Sequence, residues 1–309
     1  MQNILVNVNG DIHSADKATV SVFDRGYLYG DSLYEVARSY DGIFLHLDDH
    51  LYRMEKSAEL CHMVLGQPTE LYHSEIYRTF AEFRKLPGHA KTEAYCRILV
   101  TRGVGKIGFG LNCILTPTQY VIIVQPVEPP SEEQFNHGMN LQISKRLRND
   151  ARALDPAMKS GNYLNSLLAY LEANAQDCDD AVMCNSDGHI TEGTTFNIFY
   201  IRNNILATPP LDIGILDGIT RRQVIRIAGE MGLPVREVRF PRERMDEADE
   251  VFMTGSVKEV FPITRIDGKP VGSGKPGKLT REIAKRYRQS CWDVVALERN
   301  AKKSKAHAR

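Results

Sequence analysis

Hydrophobic and polar positions repeat with a period of two over several short stretches and with a helical period over longer ones. Residues 3–8 and 18–23 read as short strands. In the second, Val20 and Val22 alternate with smaller polar residues until Asp24-Arg25-Gly26 breaks the run. Residues 31–40 and 42–46 form a strand pair about Asp41-Gly42, a dipeptide suited to a two-residue hairpin turn. A helix is expected from Asp48, with Asp48 or Asp49 as its N-cap, because Leu51, Met54, Ala58 and Cys61 then fall on one stripe. A second helix covers 69–85 and stops before Pro87-Gly88. Residues 93–102 are a β-prone run, and Gly103, Gly105, Gly108 and Gly110 after it predict a mobile loop. The near-continuous apolar run 119–127 predicts a buried strand.

The polar, proline-led segment 128–134 separates two differently organised halves and reads as a linker. Beyond it, strand patterns recur near 139–145, 180–186, 196–200, 204–207 and 249–254, and helical ones over 162–176, 219–231 and 278–298. Leu164, Leu167, Leu168 and Leu171 are expected to turn one face of the first of these helices to a core. Strands and helices mix without strict alternation, which predicts an α+β architecture. The expected division is a small domain over 1–127, a larger one over 135–298 and a basic, frayed tail over 299–309.

Composition narrows the function classes. The 309 residues suffice for two domains, and 42% apolar residues can build a core without disulfides. Acidic and basic residues balance at 39 each, which gives no footprint for nucleic acid. None of the six cysteines forms a Cys-x-x-Cys pair. No apolar run approaches the roughly 18 residues that span a bilayer. The amino-terminal residues lack a secretory pattern, so a reduced, cytoplasmic setting is expected.

The candidate chemistry lies in two blocks. Lys159, before Ser160-Gly161-Asn162-Tyr163, offers an amine that could form a Schiff base. Glu192, in Thr191-Glu192-Gly193-Thr194-Thr195, offers a carboxylate that could hold a pyridinium nitrogen. Pyridoxal 5'-phosphate chemistry needs both, with the lysine also moving protons. A phosphate needs amides at a helix start, and Gly218-Ile219-Thr220-Arg221 supplies one, with Thr254-Gly255-Ser256 nearby in type. Arg53 could be the cation, although periodicity alone puts it on the solvated side of its helix.

With Asp24-Arg25-Gly26, Tyr29-Gly30-Asp31 and His50-Leu51-Tyr52-Arg53-Met54, these blocks resemble the class IV aminotransferases, pyridoxal phosphate fold type IV, from about Asn3 to Tyr287. That group holds branched-chain and D-amino acid aminotransferases, (R)-amine transaminases and aminodeoxychorismate lyase. The resemblance implies a small α+β domain, a larger barrel-like domain and a homodimer. It also implies a cofactor site of Lys159, Glu192, Tyr163, Arg53, Leu216, Gly218, Ile219, Thr220 and Ser256.

The resemblance further implies a substrate pocket of Tyr29, Tyr34, Val36, Arg38, Tyr95, Arg97 and Val257. Tyr95-x-Arg97 places both side chains on one side of a strand. In the branched-chain group that arginine receives the distal carboxylate of glutamate or 2-oxoglutarate. The expected activity is therefore transfer from a hydrophobic, branched-chain L-amino acid to 2-oxoglutarate. Two departures weaken that assignment, and the first resembles the D-amino acid enzymes. Val36 stands in Tyr34-Glu35-Val36-Ala37-Arg38 where the branched-chain group has glycine, and Val257 stands where it has alanine.

Overall fold

The computed structural model describes residues 3–307, with side chains described through Ala301. Contacts divide the chain into two compact units, each discontinuous in sequence. The first gathers the chain up to Glu128, the segment Met158–Asn162 and the chain from Trp292 onward. The second gathers Pro129–Ala157 and Tyr163–Cys291. The sequence division treats each domain as one continuous stretch. It puts Met158–Asn162 in the larger domain, because that segment joins the first unit through backbone pairing rather than through a pattern of its own.

In the first unit, β1 (Leu5–Val8) and β2 (Asp11–Ser14) form a hairpin, followed by the short helix α1 (Arg25–Tyr29). The strand expected over 18–23 is absent: Val20, Val22 and Phe23 are exposed, and the polar residues of β2 pair with β1 instead. Then come β3 (Ser32–Tyr40), β4 (Ile43–Phe44), α2 (Leu47–Leu60), α3 (Thr69–Lys85), β5 (Ala94–Thr101) and β6 (Gln119–Pro126). The strands form one six-stranded sheet in the order β2-β1-β6-β5-β3-β4. The turn from β3 to β4 uses positive φ at both Asp41 and Gly42, as the Asp-Gly pair predicts. The chain enters α2 through His46, which has a left-handed backbone and makes no capping bond. Asp48 and Asp49 lie in the first turn, where they favour the helix dipole without acting as caps.

Helices α2 and α3 cover one face of this sheet. Leu47, Leu51, Met54 and Ala58 pack with Tyr72, Ile76, Phe80 and Phe83 over Cys96, Ile98, Val100, Ile122 and Val124. Along β5 burial alternates strictly, so Tyr95 and Arg97 point away from that core. The opposite face of the sheet is thereby left for other chemistry.

In the second unit, α4 (Glu132–His137) leads into β7 (Met139–Ile143). The linker assigned to 128–134 is thus partly helix, because Ser131 and Gln134 form a capping box that starts α4 inside it. The unit continues with α5 (Leu164–Asn174), β8 (Asp180–Cys184), β9 (Ile190–Gly193), β10 (Asn197–Arg202), β11 (Ile205–Thr208) and α6 (Ile219–Glu230). After these come β12 (Val235–Glu237), α7 (Glu243–Asp246), β13 (Glu250–Gly255), β14 (Glu259–Ile266) and β15 (Lys269–Pro270). The strands form a nine-stranded sheet in the order β12-β11-β10-β13-β14-β7-β8-β9, with β15 on β14. Pro262 is tolerated within β14 because pairing with β7 begins only at Ile263.

The last helix, α8 (Lys278–His307), runs through residues expected to fray. Alanine and lysine favour helix there, and Arg299 pairs with Asp41. A second correction concerns α5. Its buried side carries Ser166, Ala169 and Ala173, whereas Leu164, Leu167 and Leu171 are 66%, 49% and 52% exposed. Small residues let the helix approach β8 closely, and Leu164, Leu167 and Leu171 are left outside while Leu168 is half-buried. The six cysteines are free thiols.

Candidate active site

Lys159 is held by its backbone on both sides. Its N–H donates to Ser57 Oγ at 3.1 Å, and its carbonyl accepts from Tyr34 N–H at 3.0 Å. Ser160 bridges Leu33, and Gly161 N–H donates to Ser32 O at 2.8 Å. A β-carbon at Gly161 would lie 2.1 Å from Ser32 Oγ, so a larger residue would have to displace that hydroxyl. The Lys159 Nζ sits 4.6 Å from the centre of the Tyr34 ring.

Nearby lies a buried polar cluster. Glu35 Oε1 accepts from Arg53 Nε at 2.7 Å, and Glu35 Oε2 accepts from Arg53 Nη2 at 2.8 Å and meets His50 Nδ1 at 2.7 Å. Since the carboxylate only accepts, Nδ1 carries the His50 proton. Burial would raise the Glu35 carboxyl, but the charge and hydrogen bonds of Arg53, with those of His50, hold it well below the usual carboxylate range. Burial pushes the His50 imidazole down from its ordinary value. Arg53 is therefore not solvated: with its side chain 11% exposed, it is the fixed partner of Glu35.

Five of the predicted substrate residues share one face of the first sheet. Tyr34, Val36 and Arg38 alternate along β3, and the register sets Val36 opposite Arg97 and Arg38 opposite Tyr95. The Arg97 guanidinium stands 4.0 Å from the centre of the Tyr34 ring, so Tyr34 is flanked by Arg97 and Lys159. Tyr29 lies elsewhere. Its hydroxyl accepts from Gly108 N–H at 3.0 Å, and its ring meets Phe109 at 5.2 Å. The glycine-rich stretch is hydrogen-bonded along both sides, Gly105 bridging Ile114 and Lys106 N–H donating to Cys113 O, rather than forming an open loop.

In the second unit the centre is Glu192, 5% exposed. Oε1 accepts from Arg148 Nε and Nη2 at 3.0 and 2.9 Å, and Oε2 accepts from Leu216 N–H at 3.1 Å. The Leu216 carbonyl in turn accepts from Asn197 Nδ2 at 2.9 Å. Gly218 precedes α6 so closely to Asn197 that a β-carbon there would fall 1.9 Å from Asn197 Oδ1. No side chain caps α6, which leaves the amides of Ile219 and Thr220 at its start. Thr254 Oγ1 is buried without a hydrogen-bond partner among the described residues. Ser256 and Val257 sit half-buried in the β13–β14 turn, and Tyr163 is half-buried immediately before α5.

The model of the amino-transferase class IV family matches residues 32–266. The chain belongs to the class IV aminotransferases. This aminotransferase is 36% identical over 296 residues to a putative branched-chain-amino-acid aminotransferase of Methanocaldococcus jannaschii, covering 95% of this chain and 99% of that protein. It is 33% identical over 275 residues to a D-alanine aminotransferase of Bacillus licheniformis, covering 89% and 93%. Among solved structures it resembles the T.th. branched-chain amino acid aminotransferase with pyridoxamine 5'-phosphate, at a TM-score of 0.83 and 30% identity over 93% of each chain. The same T.th. enzyme has been solved with N-(5'-phosphopyridoxyl)-L-glutamate and with 4-methylvaleric acid. The α+β, two-domain fold type IV is the fold of this aminotransferase.

Three polar residues of the aminotransferase lie outside the sequence expectations: Arg148, Glu35 and His50. Arg148 carries a signal, since a carboxylate buried at Glu192 demands a cation, but nothing in the spacing says which arginine. His50, Arg53 and Ser57 recur at i, i+3 and i+7 beside the apolar stripe of α2, and that second, polar stripe marks a buried face. Among the described residues of the aminotransferase, no helix is long and apolar enough to cross a membrane, and no cluster of His, Cys, Asp and Glu is arranged for a metal.

Proposed function

We propose that the enzyme is a pyridoxal 5'-phosphate-dependent transaminase that moves the amino group of a hydrophobic, branched-chain L-amino acid to 2-oxoglutarate. One observation carries the substrate half of this reading. Tyr34, Val36, Tyr95 and Arg97 share a face, so aromatic and aliphatic surface adjoins a guanidinium. Such a surface can accept an apolar side chain in one half-reaction and a carboxylate in the other. The ligands of the T.th. enzyme, an L-glutamate adduct and 4-methylvaleric acid, support the same pairing.

The residues present fit the cofactor. The uncapped start of α6, the orphaned Thr254 hydroxyl and the glycine-only approach at Gly218 form a cradle suited to a phosphate. We assign the phosphate to Ile219, Thr220, Ser256 and Arg53, the ring to Leu216, and the phenolic oxygen to Tyr163. When bound, the cofactor supplies an electron sink for charge developing at the donor's α-carbon. Lys159 Nζ would hold the cofactor when no donor is bound and, displaced by the donor's amine, would move the proton at that carbon as a free amine. Glu192 would accept a hydrogen bond from the pyridinium N–H, with Arg148 and the Leu216 amide holding its side chain in place.

The test is a panel of L and D donors with 2-oxoglutarate. L-Leucine and L-valine are expected to turn over. Activity confined to D-alanine and D-glutamate would sink the L-specific reading. The D-amino acid reading remains the second one because Val36 stands opposite Arg97 and Arg38 lies in the same row. Arg97→Leu is expected to lower kcat/KM for L-glutamate about 10- to 100-fold while changing that for L-leucine only a few-fold. Equal losses for both donors would remove Arg97 from carboxylate recognition.

We also propose a homodimer. Leu164, Leu167 and Leu171 form an apolar stripe that is left exposed among the described residues. The double variant Leu167→Asp/Leu171→Asp is expected to halve the mass seen by sedimentation. An unchanged mass would place any interface elsewhere.

A further inference from the structure

The free edge of the second sheet bears a cavity of about 360 Å³. The strand register explains how it forms. Tyr200 on β10 lies opposite Ala207 on β11, which lies beside Arg236 on β12. The small side chain of Ala207 leaves a depression between a phenol and a guanidinium. Arg202, two residues along β10, points to the same face, and Phe240 closes the wall edge-on to Tyr200 at 4.8 Å.

Four arginines line this one cavity: Arg202, Arg236, Arg239 and Arg244. Among the described residues two carboxylates reach them. Glu247 is shared by Arg202 and Arg244, and Asp212 meets Arg239 at 2.8 Å. Neither acid lines the cavity, so an excess of two positive charges faces it. The Arg236 side chain makes no ion pair or hydrogen bond among the described residues. Tyr200 is 8% exposed, and its hydroxyl likewise makes no hydrogen bond among them. Burial raises the phenol, and the opposing pull of Arg244, Arg202 and Arg236 places three guanidiniums about it. Concentrating like charges around a concave surface is unfavourable unless an anion enters, and guanidinium forks match phosphate oxygens.

We infer that this cavity is a second binding site, for a small molecule that carries a phosphate group. Its volume lies at the lower end of ligand pockets and suits a nucleoside monophosphate, with the base over the Tyr200–Phe240 wall and the phosphate among the arginines. The site is separate from the cradle at α6. Asn197 and Arg202 occupy opposite ends of β10, five residues or about 16 Å apart.

The experiment is calorimetric titration of the cofactor-loaded enzyme, whose own phosphate cradle is filled, with AMP, inorganic phosphate and citrate at low salt. AMP is expected to bind once per chain, and Arg236→Ser/Arg239→Ser to weaken it by at least about tenfold. Both arginines are exposed, so the variant is expected to keep its melting temperature and its basal transamination. AMP binding more tightly than phosphate identifies a nucleotide, and equal affinity identifies the phosphate group alone. No binding by either at about 10 mM, or binding unchanged in the variant, would overturn the inference. Citrate binding as tightly as AMP would overturn the assignment to phosphate.

Discussion

Lys159→Ala is expected to lower transamination by at least about four orders of magnitude while leaving the fold in place. General acid–base catalysis alone is worth about a hundred- to ten-thousandfold, and the same amine is assigned the covalent attachment. The fold is spared because Lys159 is held by its backbone, through Ser57 and Tyr34, and those bonds survive truncation. The measurement is kcat/KM with the best donor of the panel, alongside far-ultraviolet circular dichroism. A small primary amine added to the variant is expected to restore part of the rate, since it can replace a proton carrier. Activity within tenfold of the unaltered enzyme would remove Lys159 from its assigned role.

Glu35→Ala is expected to destabilise the protein by about 3–5 kcal/mol, read as a fall in the urea midpoint. Its loss leaves Arg53 nearly buried and without its bidentate partner, and leaves His50 Nδ1–H without an acceptor. If the cost arises from the stranded charge, Glu35→Ala/Arg53→Met should recover part of it. No recovery would mean that packing, not charge, is what the single variant loses.

The cluster also sets an acid limit. His50 has a folded-state value below its unfolded one, so its contribution is lost as pH falls below about 6.5. Glu35 is likewise depressed. Its contribution is present above about 4.3 and disappears as pH falls further toward its folded value. Stability should therefore decline in two stages on acidification, and Glu35→Gln should flatten the lower one.

Local patterns are legible where one force dominates. The apolar stripe of α2, the Asp41-Gly42 turn and the alternation of β5 follow directly from spacing. Family blocks are what single out Lys159, Glu192 and the start of α6 for the proposed roles. Pattern and structure diverge where burial and polarity part company. Helical periodicity scores charge as exposure and so sends Arg53 to solvent, yet Glu35 on β3 makes its burial tolerable. The leucines of α5 resemble core for the converse reason. Burial there falls to Ser166, Ala169 and Ala173, and helical periodicity does not distinguish a buried apolar stripe from an exposed one. Arg148 has no local signature because its partner, Glu192, lies 44 residues away.

The interleaving of the two units bears on the order in which the chain can acquire structure as it is made. The first unit needs Met158–Asn162, and its membership resumes at Trp292. In the second, β7 pairs in parallel with β14, joining Met139 to Ile263. A nascent chain therefore exposes the edge of β7 for more than a hundred residues of synthesis before its partner emerges. Neither unit can close vectorially, so completion of the first is expected only once the segment from Trp292 has been made. During that interval unpaired strand edges invite aggregation, and expression yield should respond to chaperones more strongly than the final stability suggests.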